Sequence, residues 1–145
     1  MKYHFRIYQE EDGSYWSQGI ELSRCVTQGE NLQELKENLK EVLTLYLDEP
    51  QGSNMTFPLP DETIVENDLI LSISVDSKIA FPILMKNFRL QNRLTQQEAQ
   101  HRIGLANRNS YARLENPGNS TLETLDKVLQ AFPDFPIDRC FSVRV

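Results

Sequence analysis

The chain is poor in cysteine, with only Cys25 and Cys140 among its 145 residues. Two distant thiols make neither a disulfide framework nor a CxxC metal or redox pair. Long apolar runs are missing too. The longest, Ile79–Met85, is seven residues broken by Pro82, whereas a membrane-spanning helix needs about 20. No membrane contact is expected. Histidine is scarce, and neither His4 nor His101 has a Cys or His at ligand spacing, so no metal site or cofactor is expected. The opening residues Met1–Arg6 lack the apolar stretch of a signal peptide. With so little cysteine, a reducing cytoplasm is the expected compartment. Six glycines, seven prolines, 39% hydrophobic and 25% charged residues place the chain among ordinary globular domains.

Charge is plentiful and unevenly placed. Residues 1–76 hold 5 Lys/Arg against 15 Asp/Glu, net −10, while residues 77–145 hold 10 against 6, net +4. An acidic half joined to a basic half implies two chemically different partners, because net charge sets long-range attraction and nonspecific affinity rather than fold. Solvated faces of unequal charge would give the same numbers without any partner.

Tyr3–Tyr8 alternates large apolar residues with His4 and Arg6, meets Glu10-Glu11-Asp12-Gly13, and resumes at Ser14–Ser17. This predicts a hairpin with Asp-Gly supplying the positive-φ turn. A third strand is expected at Arg24–Thr27. Asn31, with Glu34 three positions on, reads as a helix N-cap. Leu32, Leu35, Leu39, Val42, Leu43 and Tyr46 predict an amphipathic helix to about Asp48, stopped by Pro50. Pro50–Asp61 reads as a loop, and Leu69–Val75 as a strand with Leu69, Leu71, Ile73 and Val75 on one face. The first half is therefore ββ(β)αβ, one sheet against one helix.

From Ser77 onward the period is helical. Ile79, Ile83, Leu84, Phe88 and Leu90 form a stripe, with Pro82 tolerable in a first turn. Thr95-Gln96-Gln97-Glu98 and Ser120-Thr121-Leu122-Glu123 are capping boxes marking two more helix starts. Asn107–Glu115 predicts a helix between them, and Leu122, Leu125, Val128, Leu129 and Phe132 the apolar face of the last. Arg139–Val145 alternates as a terminal strand that needs an edge to pair with. The overall expectation is an α+β chain, with domains at 1–76 and 77–145.

The segment Leu94–Gly104 followed by Asn107–Asn116 resembles the helix-turn-helix of phage-type repressors: Thr-Gln-x-Glu opens the first helix, Gly104 lies in the turn, and Arg113-Leu114-Glu115 ends the second. Two short helices joined by a tight turn let the second lie in a major groove while the first anchors on phosphate. Gln96, at a helix start, is placed for phosphate. Asn107, Arg108 and Asn109 are placed for base edges, since Asn pairs bidentately with adenine and Arg with guanine. The resemblance also implies that Tyr111 and Arg113 flank the backbone and that Glu115 forms a buried ion pair with Arg89. An all-helical bundle without DNA would leave Arg102, Arg108 and Arg113 as a solvated face.

Gly19-Ile20-Glu21-Leu22-Ser23-Arg24-Cys25-Val26-Thr27-Gln28-Gly29 and the residues to Leu39, after a hairpin bearing Tyr15-Trp16, resemble the HicB antitoxins. The resemblance continues through Ser77–Leu90 into the repressor-type motif, covering almost the whole chain. It implies a partial RNase H-like first domain that covers a HicA-like toxin, a small basic ribonuclease that cleaves messenger RNA. It further implies a second domain that represses its own operon. The acidic first domain has the sign needed for such a partner, and Glu10, Glu11, Asp12, Tyr15 and Trp16 are the candidate toxin contacts. Helix-turn-helix proteins bind two half-sites, so a homodimer or higher homo-oligomer is expected, with Arg139–Val145 the candidate dimer strand. The alternative is a stand-alone repressor whose first domain binds a small ligand or oligomerises. Enzymatic activity is not expected, because a two-metal nuclease needs carboxylates converging from strands. Those here lie in the turn, on the exposed helix face (Glu34, Glu37, Glu41) and in the loop (Asp61, Glu62). Cys25 reads as a buried apolar group rather than a nucleophile.

Overall fold

A computed structural model of the chain describes residues 1–48, 52 and 54–141. The architecture is α+β: an N-terminal four-stranded antiparallel sheet followed by helices. Two compact units appear, the described residues of 1–49 with 58–75, and those of 50–57 with 76–143. The segment before Pro58 thus groups with the second unit, where Lys86 Nζ donates to Gly52 O at 2.5 Å.

In the first unit β1 (Lys2–Gln9), β2 (Tyr15–Gly19), β3 (Val26–Gly29) and β4 (Ile70–Ser74) lie in the order β3-β2-β1-β4. Gly13, at φ +89°, closes the hairpin, with Glu10 N donating to Ser14 O at 2.8 Å. The register sets Phe5 between Gly19 and Leu71, and Tyr3 beside Ile73. Period two then sends Tyr3, Phe5, Ser17, Leu71 and Ile73 to one buried face. Helix α1 (Leu32–Leu47) covers that face with Leu35, Leu39, Leu43 and Leu47. Each fully buried leucine contributes about 1.5–3 kcal/mol, so this stripe is the main attraction between helix and sheet. Asn31 caps α1 by accepting from Glu34 N at 2.9 Å. The helix runs from the β3 edge toward the β4 edge: Asn38 Nδ2 donates to Gln28 O at 2.8 Å and Lys40 Nζ to Ser74 O at 2.6 Å. Both carbonyls point outward, so these bonds also blunt the two edges.

Two expectations change here. The third strand starts at Val26, not Arg24, because Leu22–Cys25 forms a turn (Cys25 N to Leu22 O, 3.0 Å) whose two end residues, Leu22 and Cys25, are buried. Leu69 is 62% exposed rather than inward, since β4 begins only after the turn pairing Asn67 with Ile70.

In the second unit α2 (Ser77–Gln91) is central and buried on nearly every side. Pro82 lies in the helix interior, not its first turn. Its absent N–H would leave Lys78 O without a donor, and Gly118 N donates to that carbonyl at 3.4 Å. Phe88 packs edge-on to Phe132 and Phe135, with ring centroids 5.3 and 5.5 Å apart. Helices α3 (Gln96–Ile103), α4 (Arg108–Ala112) and α5 (Leu122–Ala131) follow.

Asn107–Glu115 is not one helix. It is Asn107 as cap, α4, and a 3-10 turn at Arg113–Glu115. Pro117 forces the preceding Asn116 into extended backbone (φ −122°, ψ 146°) and ends the run. The cap of α5 is Thr121, accepting from Thr124 N at 3.1 Å, one residue later than Ser120. On α5 Val128 and then Phe132 are buried, whereas Leu122 is 81% exposed. Ile137–Cys140 is a 3-10 turn headed by Pro136, so no strand begins at Arg139. The remainder of that expected strand, residues 142–145, lies outside the described residues.

Gly29 is the tightest test of the helix-on-sheet packing. A Cβ there would stand 2.6 Å from Leu35 N and 2.8 Å from its Cα, against backbone that cannot rotate away. Gly29→Ala is expected to destabilise the chain by about 1–3 kcal/mol, read as a lowered denaturant midpoint; an unchanged midpoint would refute this packing.

Candidate functional site

In the second unit the α3–turn–α4 pair is built by local bonds. Thr95 Oγ1 accepts from Glu98 N at 3.0 Å while Glu98 Oε1 accepts from Thr95 N at 3.2 Å, a closed capping box. Those bonds, the backbone one first, hold the Glu98 carboxyl below its ordinary pKa. Gly104, at φ +83°, takes the left-handed turn, and its N–H meets Gln100 O at 3.0 Å. Buried Gln100 Nε2 donates to Leu105 O at 2.5 Å, pinning the turn from inside. Asn107 Oδ1 then accepts from Ser110 N at 2.8 Å and starts α4.

A buried ion pair sets the orientation of this pair against α2. Arg89 Nε and Nη2 donate to Glu115 Oε2 and Oε1 at 2.6 and 3.0 Å, and the side chains are 3% and 4% exposed. Arg89 Nη1 donates to Leu94 O at 3.0 Å, and Gln96 Nε2 reaches Glu115 Oε1 at 3.3 Å. One guanidinium thus holds α2, the corner before α3 and the end of the α4 segment. The Glu115 hydrogen bonds raise the Arg89 pKa further, so the cation is permanent. The corner needs Arg93 at φ +56°, closed by Leu94 N to Arg89 O at 3.1 Å.

The candidate contacts divide by exposure. Arg108, Asn109 and Arg113 are exposed. Tyr111 is 0% exposed: it is a core residue rather than a backbone-flanking one, its hydroxyl enclosed beside Arg89 and Glu115. Burial, then the Glu115 charge, pushes that phenol above its ordinary pKa. Gln96 is half-buried, and its amide reaches Glu115. Asn107 is exposed, and its Oδ1 caps α4 by accepting from Ser110 N.

In the first unit Glu10, Glu11 and Asp12 are exposed in the hairpin turn, and Tyr15 and Trp16 are half-buried. Trp16 stacks on Tyr8 with centroids 4.1 Å apart. Ser14 donates to Asp12 from both its hydroxyl and its N–H, lowering the Asp12 pKa. Glu21 has a role that sequence reasoning missed. Its carboxylate accepts from His4 N at 2.9 Å, lies 2.6 Å from His4 Nδ1, and accepts from Asp61 N at 3.0 Å. No spacing rule links residues 17 and 40 positions apart, so nothing local signals this clamp. Cys25 and Cys140 are buried, and desolvation pushes each thiol up to about 11.

Two sequence relatives cover most of the chain. It is 30% identical over 104 residues to the Antitoxin HicB proteins of Escherichia coli K12 and O157:H7, spanning 72% of this chain and 73% of each relative. The chain belongs to the HicB antitoxin family. It is also 38% identical over 49 residues to UPF0150 protein ssr1258 of Synechocystis, across 34% of this chain and 71% of that protein. No family model matches. No helix among the described residues is long and apolar enough to cross a membrane, and no group of three metal-ligating side chains occurs among them.

Removing one partner of a buried pair leaves a desolvated charge, at about 3–5 kcal/mol. Glu115→Ala is therefore expected to lower stability by about 3 kcal/mol or more, read by thermal and denaturant melting. A loss under about 1 kcal/mol, the range of a surface pair, would show that Arg89 is not held as described.

Proposed function

We propose that the chain is the antitoxin of a toxin-antitoxin pair. Its first unit binds and occludes a HicA-like, messenger-RNA-cleaving toxin, and its second unit represses its own operon as a cytoplasmic homodimer or higher homo-oligomer. The observation that carries this reading is the relationship to Antitoxin HicB over 104 residues. Occlusion asks no chemistry of the first unit, and the net −10 of residues 1–76 suits a basic partner.

The α3–turn–α4 pair supports the second role as a helix-turn-helix. Its glycine turn and capped second helix present Arg108 and Asn109 in the first turn of α4, where major-groove readers sit. Arg113 is exposed for phosphate. Leu122 and Phe141, 81% and 52% exposed, flank a cleft of about 220 Å³ lined by Phe81, Leu125, Ile137 and Cys140, an apolar surface that suits a second copy.

Co-expression of the tagged chain with the product of the adjacent reading frame tests the first role. Co-purification and relief of that product's toxicity are expected; a harmless neighbour that does not co-purify would leave a stand-alone repressor. Arg108→Ala is expected to cost about 1–3 kcal/mol of binding to a duplex from the chain's own promoter. An equal loss on random DNA would make it a phosphate contact, and a stoichiometry of one chain per site would overturn the oligomer.

A further inference from the structure

We propose that the antitoxin's docking surface for its protein partner is the end of the sheet where the β1–β2 turn meets the turn before β4, and that the partner presents a cationic surface there. This rests on the antitoxin reading above and names where that contact is made.

The register brings the two turns together. Gln9 pairs with Tyr15 at the hairpin end, and Ile7 N donates to Leu69 O at 2.8 Å on the other side of the same strand. Helix α1 does not cover this corner, because it runs from Gly29 toward Ser74. Apolar surface is left open at the turn before β4, where Leu69 is 62% exposed and Val65 74%; Tyr8, 37% exposed and stacked on Trp16, belongs to the sheet face opposite α1 near the same end. Isolated exposed apolar residues are ordinary, but Val65 and Leu69 on one turn, rimmed by the polar groups of that turn and of the adjoining hairpin, have the anatomy of an interface with a dry centre and a wet edge.

The rim is of one sign. Glu10, Glu11, Asp12, Glu66 and Asp68 are all exposed, and neither turn, residues 9–15 or 63–69, contains a lysine or arginine. Such a rim repels phosphate, which argues against nucleic acid and anionic lipid, and it attracts a cationic protein. The outer face of α1 differs: Glu37 and Glu41 there are interleaved with Lys36 and Lys40.

The test titrates the full-length chain with the purified product of the adjacent reading frame. Glu66→Lys/Asp68→Lys and the control Glu37→Lys/Glu41→Lys change net charge equally, so only position separates them. The first pair is expected to weaken binding about tenfold or more and the control less than about threefold. Leu69→Ser should also weaken it, with promoter binding by the second unit unchanged in every variant. Equal weakening by both pairs, or by neither, overturns the surface while leaving the antitoxin reading intact. A wild-type chain that does not bind the product overturns that reading and the surface with it.

Discussion

The second unit depends on the Arg89–Glu115 pair. Two charges 2.6 Å apart and almost wholly out of water are costly to desolvate, and a hydrophobic substitute of equal volume is often as stable. The guanidinium supplies directionality. Its planar donors satisfy a carboxylate on the 3-10 turn and a carbonyl at the α2–α3 corner at once, a task no aliphatic side chain performs. The angle at which α4 stands on α2 is fixed by hydrogen bonds with defined directions, whereas Phe88, Phe132 and Phe135 supply cohesion that is largely indifferent to angle.

The first unit solves the same problem with a different anchor. Its helix is held by leucines, and its long loops by Glu21, which bonds β1 through His4 and the 58–63 segment through Asp61 N. A single carboxylate accepting three contacts replaces packing that a small unit has too few residues to provide.

What was legible in the sequence was mostly local chemistry. Asn31 and Thr95 were readable as caps because the acceptor and the N–H it serves are three residues apart. Gly104 was readable because only a left-handed residue ends a helix that way. The ion pair came from the repressor resemblance, since nothing local joins positions 26 apart. Tyr111 was misplaced because its role was carried over from the repressor resemblance, and a five-residue helix is too short for periodicity to correct it. Pro82 looked out of place in a helix interior because its compensating donor, Gly118, is remote in sequence. Asn107 shows a different limit: the same amide suits a cap and a base edge, and composition cannot say which demand it meets.

The division of charge gains meaning from how short its reach is. At physiological salt the screening length is about 8 Å, so the net −10 of residues 1–76 and the net +4 of residues 77–145 act locally rather than as one summed charge. Each partner meets the local pattern. For the proposed DNA partner that pattern is a few exposed arginines around α4, whose contribution falls steeply as salt displaces the advantage of counterion release. For the proposed protein partner it is an apolar corner within an acidic rim, where burial of Leu69 and its neighbours persists when the rim is screened. The two proposed binding activities of one small chain would therefore differ in their response to salt even if their affinities were equal, because only one of them has a hydrophobic centre.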